Sequence, residues 1–401
     1  MRIVVAHNAY QQPGGEDACV RAETAMLSAH GHTIIPFDVS NDTIASMSRL
    51  DAAARTVWSR PAYRELRALF RRERPDVVHF HNTFPLISPA AYYAARQEGV
   101  GVVQTLHNHR FICANAVFFR DGGVCQDCLG AVAPWRGVVR GCYRGSRAAS
   151  LAVASMIGVH RLARTWNRAV DVLIALSQSS RANFVAAGFD ARRIAVKPNF
   201  VYPDPGLGSA RGGGGYALFV GRLSEEKGLL TLLKAWTDGR PGMPLTIVGD
   251  GPMRPAVEAA ARGRPDIRLL GTQASEAVYD LMGRAEIVIV PSECLETFGR
   301  VAVEAFAKGT PVLASRLGGL EEIVRERCNG SLFEAGDPAD LAVKVRLMVA
   351  DPARLQRMRE AARATYERHY TMTANHAQLV SLYRRAQARV PVTGAEPSLS
   401  E

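Results

Sequence analysis

The sequence has no long apolar run and few aromatic residues, and each shortage excludes a class of protein. None of its hydrophobic stretches approaches the ~18 apolar residues that a membrane-spanning helix requires, although 47% of its 401 residues are hydrophobic. Aromatic residues make up 7%, and no segment interleaves them with basic residues as single-stranded nucleic-acid platforms do. We therefore expect neither a membrane-spanning protein nor a nucleic-acid-binding one.

Lysine is also scarce, since it supplies five of the 49 basic residues. The positive charge is uneven: residues 1–200 contain 24 Lys and Arg against 14 Asp and Glu, whereas the remaining residues contain 25 against 24. A basic half of this kind suits a phosphorylated partner or an anionic membrane surface. Within it, residues 59–74 place Leu66, Leu69 and Phe70 among six arginines, a pattern typical of a basic helix on anionic lipid. A solvated helix face is the alternative.

Few cysteines are present, and their setting favours thiols or metal ligands over disulfides. Residues 1–6 begin as a strand and lack the cleavage region of a signal peptide, so we expect a cytoplasmic protein. Four of the seven cysteines, Cys113, Cys125, Cys128 and Cys142, lie in one loop-rich insert. Four thiolates would satisfy a structural Zn²⁺, and free thiols are the alternative.

The length and the order of the elements predict two domains. A chain of 401 residues exceeds the size at which one core usually splits. Short apolar segments alternate with helical ones in both halves, which is typical of doubly wound parallel sheets. The predicted strands are residues 3–6, 33–37, 77–80, 102–106 and 172–176 in the first half and 217–220, 245–248, 267–270, 287–290 and 311–314 in the second.

Proline and glycine mark the boundary between the halves. Residues 203–215 are rich in both and are interpreted as a linker. The predicted domains are therefore residues 1–202 and 216–372. Residues 391–401 are expected to form a flexible tail.

Residues that follow the strands are candidate site residues, because ligands in open α/β sheets bind beyond the carboxyl ends of the strands. After the first strand, Gly14 and Gly15 stand at a loop-to-helix junction, where the backbone can approach a phosphate or sugar closely. In the second half, Arg222 and Lys227 flank the start of a helix, where an anion is already favoured. His107 ends a strand that faces the same predicted cleft.

Two glutamates surround the loop that follows residues 287–290. Glu296 lies in the loop and Glu304 about one turn into the next helix. Between them, free N–H groups near Phe298 and Gly299 form a helix N-terminus suited to an anion. One carboxylate can accept hydrogen bonds from a sugar and the other from a ribose, with a diphosphate between them. The spacing therefore predicts a nucleotide-sugar site.

These motifs resemble those of retaining GT-B glycosyltransferases of the family 4-like kind (glycosyl transferases group 1). The likeness covers nearly all of residues 1–390 and is most specific over 217–323. It rests on the seven residues between Glu296 and Glu304, on Gly221-Arg222 with Lys227-Gly228, on Gly249-Asp250-Gly251 and on Gly318-Gly319. The resemblance implies two Rossmann-like domains that face each other across a cleft, with a helix over residues 373–389 crossing back onto the first.

The resemblance also implies roles for the candidate residues. Arg222 and Lys227 would grip the donor diphosphate. Glu296 would hold donor sugar hydroxyls and Glu304 the ribose, next to the N–H groups of Phe298 and Gly299. The remaining implied contacts are a sugar contact from His107, a loop over the donor phosphates at Gly14 and Gly15, and backbone contacts to the base at Gly271 and Thr272.

The function implied is transfer of a sugar from a nucleotide-diphosphate donor to an acceptor hydroxyl with retention, on a polysaccharide or glycolipid. No Asp-x-Asp motif occurs, and Arg222, Lys227 and a helix N-terminus can neutralise a leaving diphosphate, so no catalytic metal is expected. The acceptor would be a glycan or lipid-linked, which leaves open a peripheral position on the inner face of the membrane. The alternatives are a nucleotide-sugar epimerase or hydrolase of the same fold, and a non-catalytic basic adaptor that binds zinc.

Overall fold

The computed structural model describes residues 1–9, 14–208 and 213–389, and contains two parallel β-sheets flanked by helices. Of the predicted linker, residues 209–212 lie outside the described residues, as does the predicted tail over 391–401. No helix in the described part of the chain is long and apolar enough to cross a bilayer.

The first half forms a six-stranded parallel sheet in the order β2-β1-β3-β4-β7-β8, with a separate two-stranded hairpin, β5-β6. Its strands are β1 Arg2–Ala9, β2 Thr33–Ser40, β3 Val77–Asn82, β4 Gly101–Leu106, β5 Phe119–Arg120, β6 Gly123–Val124, β7 Val172–Ala175 and β8 Ile194–Val196. Its helices are α1 Gly15–Ala29, α2 Arg49–Val57, α3 Arg60–Glu73, α4 Ala90–Gln97, α5 Trp135–Val139, α6 Arg147–Leu162, α7 Thr165–Arg168 and α8 Gln178–Ala186.

The second half forms another six-stranded parallel sheet, in the order β11-β10-β9-β12-β13-β14. Its strands are β9 Ala217–Val220, β10 Leu245–Val248, β11 Ile267–Gly271, β12 Ile287–Val290, β13 Val312–Ser315 and β14 Gly330–Phe333. The helices are α9 Leu229–Thr237, α10 Arg254–Ala261, α11 Ser275–Arg284, α12 Arg300–Ala307, α13 Leu320–Ile323, α14 Pro338–Val349, α15 Pro352–His369 and α16 Met372–Gln387.

All ten predicted strands are present, and the two doubly wound sheets confirm the predicted fold class. Inner strands such as β7 and β12 are buried along their whole length, which explains their continuous apolar sequences. The prediction omitted the hairpin β5-β6 and also β8 and β14, the last strand of each sheet. β8 has only three residues, and β14 begins with Gly-Ser, which interrupts the apolar pattern.

The last helix, α16, packs on the first sheet. At Gly101, the first residue of β4, an added Cβ would lie 3.1 Å from the backbone of Ala386 in α16, so glycine permits this close packing. The Tyr383 hydroxyl also lies 2.9 Å from Nδ1 of His79 in β3. The two ends of the chain therefore build one domain.

The predicted basic helix over 59–74 exists as α3, but its orientation differs from the expectation. Its apolar residues Leu66, Leu69 and Phe70 are buried in the core of the first domain. Arg67 and Arg71 each bind the carboxylate of Glu98, at 2.6 Å and 2.9 Å. The core therefore covers the apolar side of α3 and leaves only its arginine side for solvent or an anionic surface, so its contact with lipid stays a prediction.

The two domains touch at the carboxyl ends of their sheets. Thr297 Oγ1, from the loop after β12, donates a hydrogen bond of 2.8 Å to the carbonyl oxygen of His107. The Glu322 carboxylate in α13 accepts hydrogen bonds from the N–H groups of Gln178 and Ser179, at 2.8 Å and 2.6 Å, at the start of α8. These contacts bring the carboxyl ends of the two sheets to the same cleft, which is where ligands bind in such folds.

Candidate functional site

Lys227 and Glu296 meet at the switch point of the second sheet, where β9 and β12 are neighbours. Lys227 Nζ donates a hydrogen bond to Glu296 Oε1 at 2.5 Å, and the Ser292 hydroxyl donates to the same oxygen at 2.7 Å. Gly228 makes this approach possible: its φ is +69°, and an added Cβ would lie 1.7 Å from the Pro291 carbonyl oxygen. Only glycine fits between these two loops.

The Lys227–Glu296 pair is charged at neutral pH. Burial alone would raise the pKa of Glu296, but the Lys227 charge and the hydrogen bonds from Lys227 and Ser292 outweigh it, so this pKa lies below its ordinary value. For Lys227, burial acts to lower the pKa, and the Glu296 charge more than compensates, so the net pKa is raised. Their side chains are 32% and 18% exposed, so both groups remain reachable from the cleft.

Arg222 precedes Lys227 by five positions in the chain and differs from it in its contacts. It follows β9 directly, its side chain is exposed, and it forms no ion pair with any residue that the structure describes. The site therefore offers one cation already bound to a carboxylate and a second that is free for an anion.

Glu304 is joined to the first domain through a residue that the sequence analysis missed. Arg300 Nε donates to Glu304 Oε1 at 2.7 Å, and Arg300 Nη1 donates to the Gly15 carbonyl oxygen at 3.1 Å. Gly14 caps α1, and its N–H donates to the Asp17 carboxylate at 2.7 Å. Two of the predicted motifs, the Gly14-Gly15 loop and the second glutamate, are thus brought together by one guanidinium.

Phe298 and Gly299 lie in the loop between Glu296 and α12. The Phe298 side chain is buried against Tyr370, with ring centroids 5.9 Å apart. Gly299 precedes α12 at a φ of +110°, and an added Cβ would lie 2.6 Å from the Leu320 side chain. The segment before α13 also holds this loop in place, since the Gly319 N–H donates to the Glu296 carbonyl oxygen at 2.9 Å.

Gly271 and Thr272 lie away from this group. Gly271 ends β11 at a φ of +68°, and its carbonyl oxygen accepts the Gly249 N–H at 2.9 Å. Thr272 follows it and is exposed. Because β11 is two strands from β9, these residues are about 10 Å from the switch point.

His107 belongs to a buried polar network rather than standing alone. Its Nε2 lies 3.0 Å from Nδ1 of His81, and burial lowers the pKa of His107 to about 3. The imidazole is therefore neutral. His81 in turn lies 3.4 Å from the Glu23 carboxylate, so the strand-end histidine is positioned by β3 and α1.

The centre of this network is the buried pair of Glu23 and Lys197. Lys197 Nζ donates to Glu23 Oε1 and to Asn375 Oδ1, both at 2.8 Å. Burial raises the pKa of Glu23, but the Lys197 charge outweighs it and the net pKa is lowered. The sequence contained one signal for the network: His79 and His81 stand two positions apart in β3, and so share one face of the sheet.

Among the described residues, Glu23, His79 and His81 are the group whose potential metal-ligand atoms lie within 4.8 Å of one another. They do not fit a cation, because the Lys197 ammonium already neutralises Glu23. Both nitrogens of His79 are also within hydrogen-bonding distance of Tyr383 and Thr105, at 2.9 Å and 2.7 Å. This network, in which the charges of Glu23 and Lys197 cancel, supports His107.

The four cysteines of the insert surround one small cavity of about 20 Å³. All four are free thiols. No three of their sulfurs lie within 4.8 Å of one another. The insert thus brings the predicted ligands together without forming a closed metal site.

Comparisons with known proteins agree with this architecture. The family model for glycosyl transferases group 1 matches residues 209–365, and the model for glycosyltransferase family 4 matches residues 42–204. The sulfoquinovosyl transferase SQD2 of Arabidopsis thaliana is 26% identical over 310 residues, which cover 74% of this chain and 54% of that protein. The chain thus spans about half the length of this curated relative.

Two solved structures share the fold over nearly their whole length. Sucrose-phosphate synthase of Thermosynechococcus elongatus has a TM-score of 0.72 at 18% identity, over 97% of this chain and 100% of that one. HepE of Anabaena, in complex with UDP, has a TM-score of 0.68 at 18% identity, over 95% and 99%. With one family model on each domain, this chain is a glycosyltransferase family 4-like protein with the GT-B fold.

Proposed function

We propose that this protein transfers a sugar from a nucleotide-diphosphate sugar to an acceptor hydroxyl. The observation that carries the proposal is the contact between Lys227 and Glu296 at the switch point of the second sheet, with the exposed Arg222 in the loop after β9. Two cations and a carboxylate at one cleft match the two ends of such a donor, because the cations suit the diphosphate and the carboxylate suits sugar hydroxyls. The UDP complex of HepE supports a donor of this class.

In this proposal the chain's own groups stabilise the leaving diphosphate. Arg222 and Lys227 neutralise the charge that develops on it, and Glu296 keeps one carboxylate oxygen for the donor sugar while the other holds Lys227. The Glu304 carboxylate accepts hydrogen bonds from the ribose while it keeps its contact with Arg300. Because two fixed cations are available, the reaction needs no metal ion.

We propose that the sugar keeps its anomeric configuration, with the departing phosphate as the base. The argument comes from His107, the predicted sugar contact on the acceptor side. A pKa of about 3 makes its imidazole a weak base at neutral pH. It can position a sugar hydroxyl, whereas a phosphate oxygen on the same face as the incoming hydroxyl is the stronger base.

We propose a glycan or lipid-linked acceptor, in cell-surface polysaccharide or glycolipid synthesis. The +10 charge of residues 1–200 and the likeness to a sulfoquinovosyl transferase support an acceptor held at an anionic surface. The protein then contacts the inner face of the membrane peripherally, and the structure offers a surface for that contact other than α3.

That surface is formed by α5, α6 and the loop before α5. Seven arginines and no carboxylate occur between residues 128 and 170. The Arg161 guanidinium donates to the Ala131 carbonyl oxygen at 2.5 Å, which holds the loop beside α6. The large apolar side chains exposed here, between 49% and 74%, are Val132, Trp135, Val139, Leu151, Val159 and Leu162. Exposed tryptophan and aliphatic groups among arginines suit the interface of an anionic bilayer.

The transfer reaction is tested by donor binding followed by turnover. A melting-temperature screen against UDP-, GDP- and ADP-sugars should single out one donor, and that donor should then be consumed only when a glycan or lipid-linked acceptor is present. Donor consumption without an acceptor would instead indicate an epimerase or hydrolase. No shift with any of the nucleotides would contradict the donor site.

The membrane contact is tested with vesicles that contain phosphatidylglycerol. The protein should sediment with them and be released by salt, and the Trp135→Ser/Leu162→Ser variant should remain unbound. Leu347→Ser, at an exposed position of α14 in the second domain, is the matched control. Unchanged sedimentation of the double variant, or release by substituting the arginines of α3, would contradict the assignment.

A further inference from the structure

The four cysteines of the insert approach one another from three segments of the chain. Cys113 follows the turn after β4, Cys125 and Cys128 follow the β5-β6 hairpin, and Cys142 follows α5. All four line the same small cavity, together with Arg120, Arg136 and Arg140. The remaining three cysteines, Cys19, Cys294 and Cys328, lie elsewhere.

The backbone around the cavity is already drawn together. The Cys142 N–H donates to the Gly137 carbonyl oxygen at 2.9 Å, and the Gly137 N–H donates to the Pro134 carbonyl oxygen at 2.9 Å. At Gly137 an added Cβ would lie 3.2 Å from the Ala114 side chain and 3.8 Å from the Cys142 sulfur. The turn that ends at Cys142 therefore packs against the segment that contains Cys113.

A tetrahedral site requires the sulfurs to move closer together. With metal–sulfur bonds of ~2.3 Å, ligand sulfurs are about 3.8 Å apart, whereas no three of these sulfurs lie within 4.8 Å of one another in the structure. A change of χ1 from one staggered position to the next moves a cysteine sulfur by about 3 Å. Such rotations bring sulfurs that line one cavity towards its centre.

The charges that line the cavity suit four thiolates around a divalent cation. Such a group carries a net charge of −2, and the lining holds three guanidinium groups and the Asp127 carboxylate, a net charge of +2. The Cys113 thiol donates a hydrogen bond to Asn115 Oδ1 at 2.9 Å, and its proton leaves when a metal binds.

The insert also has little regular structure of its own. Residues 107–146, all of which are described, contain two strands of two residues and one helix of five. Small, loop-rich segments commonly depend on a metal or disulfides for stability. Neutral thiols alone would not hold three loops at one point.

We propose that Cys113, Cys125, Cys128 and Cys142 together bind one zinc ion as thiolates. Binding releases the thiol protons to solvent, and the charge of the site is balanced by the arginines around it. The ion would fix the loop that follows His107, since the Cys113 N–H donates to the carbonyl oxygen of His109, two residues after His107, at 2.8 Å. Its role is structural, because four protein ligands leave no open position for a substrate.

The test is metal analysis of the full-length protein purified without chelators. One zinc per chain is expected, and replacement by Co²⁺ should produce the visible bands and the thiolate charge-transfer absorption of a tetrahedral sulfur site. Cys128→Ser should lose the metal. Cys328→Ser, which removes an exposed thiol of the second domain, should retain it and is the matched control.

The Co²⁺ spectrum of the unsubstituted protein keeps the test decisive if Cys128→Ser does not fold. Absence of both bound zinc and the thiolate bands after Co²⁺ addition would overturn the proposal. A mass lower by two hydrogens for each pair of cysteines would also overturn it, because it would show that the cavity holds disulfides.

Discussion

The contact between Lys227 and Glu296 leads to a prediction about which of these two side chains contributes to binding of the nucleoside diphosphate. Lys227 Nζ lies 2.5 Å from Glu296 Oε1, so in the free enzyme the carboxylate shares the ammonium that the diphosphate would use. Replacing Lys227 with Ala removes a charged hydrogen bond to the diphosphate. It also leaves the negative charge of Glu296 without a partner at the place where a second anion must bind.

The expected size follows from the exposure of the pair. Hydrogen bonds to charged groups contribute about 1.5–3 kcal/mol, and we take the lower half of that range because the Lys227 side chain is 32% exposed. About 1.5–2 kcal/mol corresponds to a rise of roughly 10- to 30-fold in the Kd of the nucleoside diphosphate. Glu296→Gln should act differently. It keeps the shape of the side chain and frees the ammonium, so the Kd should stay the same or fall slightly while sugar transfer is lost.

The two substitutions should be coupled because the side chains touch. The double variant Lys227→Ala/Glu296→Gln should bind the nucleoside diphosphate more tightly than Lys227→Ala alone, since it no longer leaves an unpaired carboxylate. Couplings of about 0.5–3 kcal/mol are usual for residues in contact.

Isothermal titration calorimetry with the nucleoside diphosphate measures all four proteins, and Lys234→Ala is the matched control. Lys234 lies in α9 seven residues after Lys227, and it is exposed. A Kd for Lys227→Ala within twofold of the unsubstituted protein would refute the assignment of the ammonium to the diphosphate. A double variant no tighter than Lys227→Ala would refute the proposed competition between carboxylate and ligand.

Three further predictions concern other parts of the site. Arg222→Ala should raise the Kd of the nucleoside diphosphate at least tenfold in the same calorimetric assay, because the Arg222 guanidinium has no competing partner among the described residues. Glu304→Gln should weaken binding of the free nucleotide as well as of the nucleotide sugar, whereas Glu296→Gln should leave binding of the free nucleotide unchanged. An equal loss of nucleotide affinity in the two variants would mean that the ribose and sugar roles are wrongly divided. For His107, the folded-state pKa of about 3 lies below the unfolded value of about 6.5, so the unfolded chain takes up the proton first and stability should fall as the pH drops below about 6.5. A melting-temperature series from pH 7 to pH 4 should show this decline, and a slope unchanged in His107→Gln would contradict it.

Much of the fold could be predicted because its signals are local. A strand such as β12, with the sequence Ile-Val-Ile-Val, is buried on both faces, and burial on both faces is what makes a sequence continuously apolar. Glycines in the loops that follow strands, such as Gly228 and Gly249, also carry local information. Added Cβ atoms there would lie 1.7 Å and 1.9 Å from carbonyl oxygens of neighbouring loops, so the sequence needs glycine wherever the backbones approach this closely.

What covers the apolar side of a helix could not be predicted from the sequence in the same way. Residues 60–73 have the composition of a basic amphipathic helix whether the apolar side meets lipid or protein. The core of the first domain covers Leu66 and Phe70, and the exposed apolar groups are on α5 and α6 instead. The pattern of one helix specifies that it has an apolar side, but what covers that side depends on the rest of the chain.

The sequence by itself determined the fold class, the strands and the residue types gathered at their carboxyl ends, because these depend on periodicity, backbone conformation and spacing within short segments. Only the tertiary structure decided which side chains meet. Lys227 and Glu296 are 69 positions apart, Arg300 joins Glu304 to Gly15 across the cleft over 285 positions, and Lys197 reaches Glu23 over 174. Pairings of that kind are set by the order of the strands and the docking of the domains, and no local pattern in a single sequence records them.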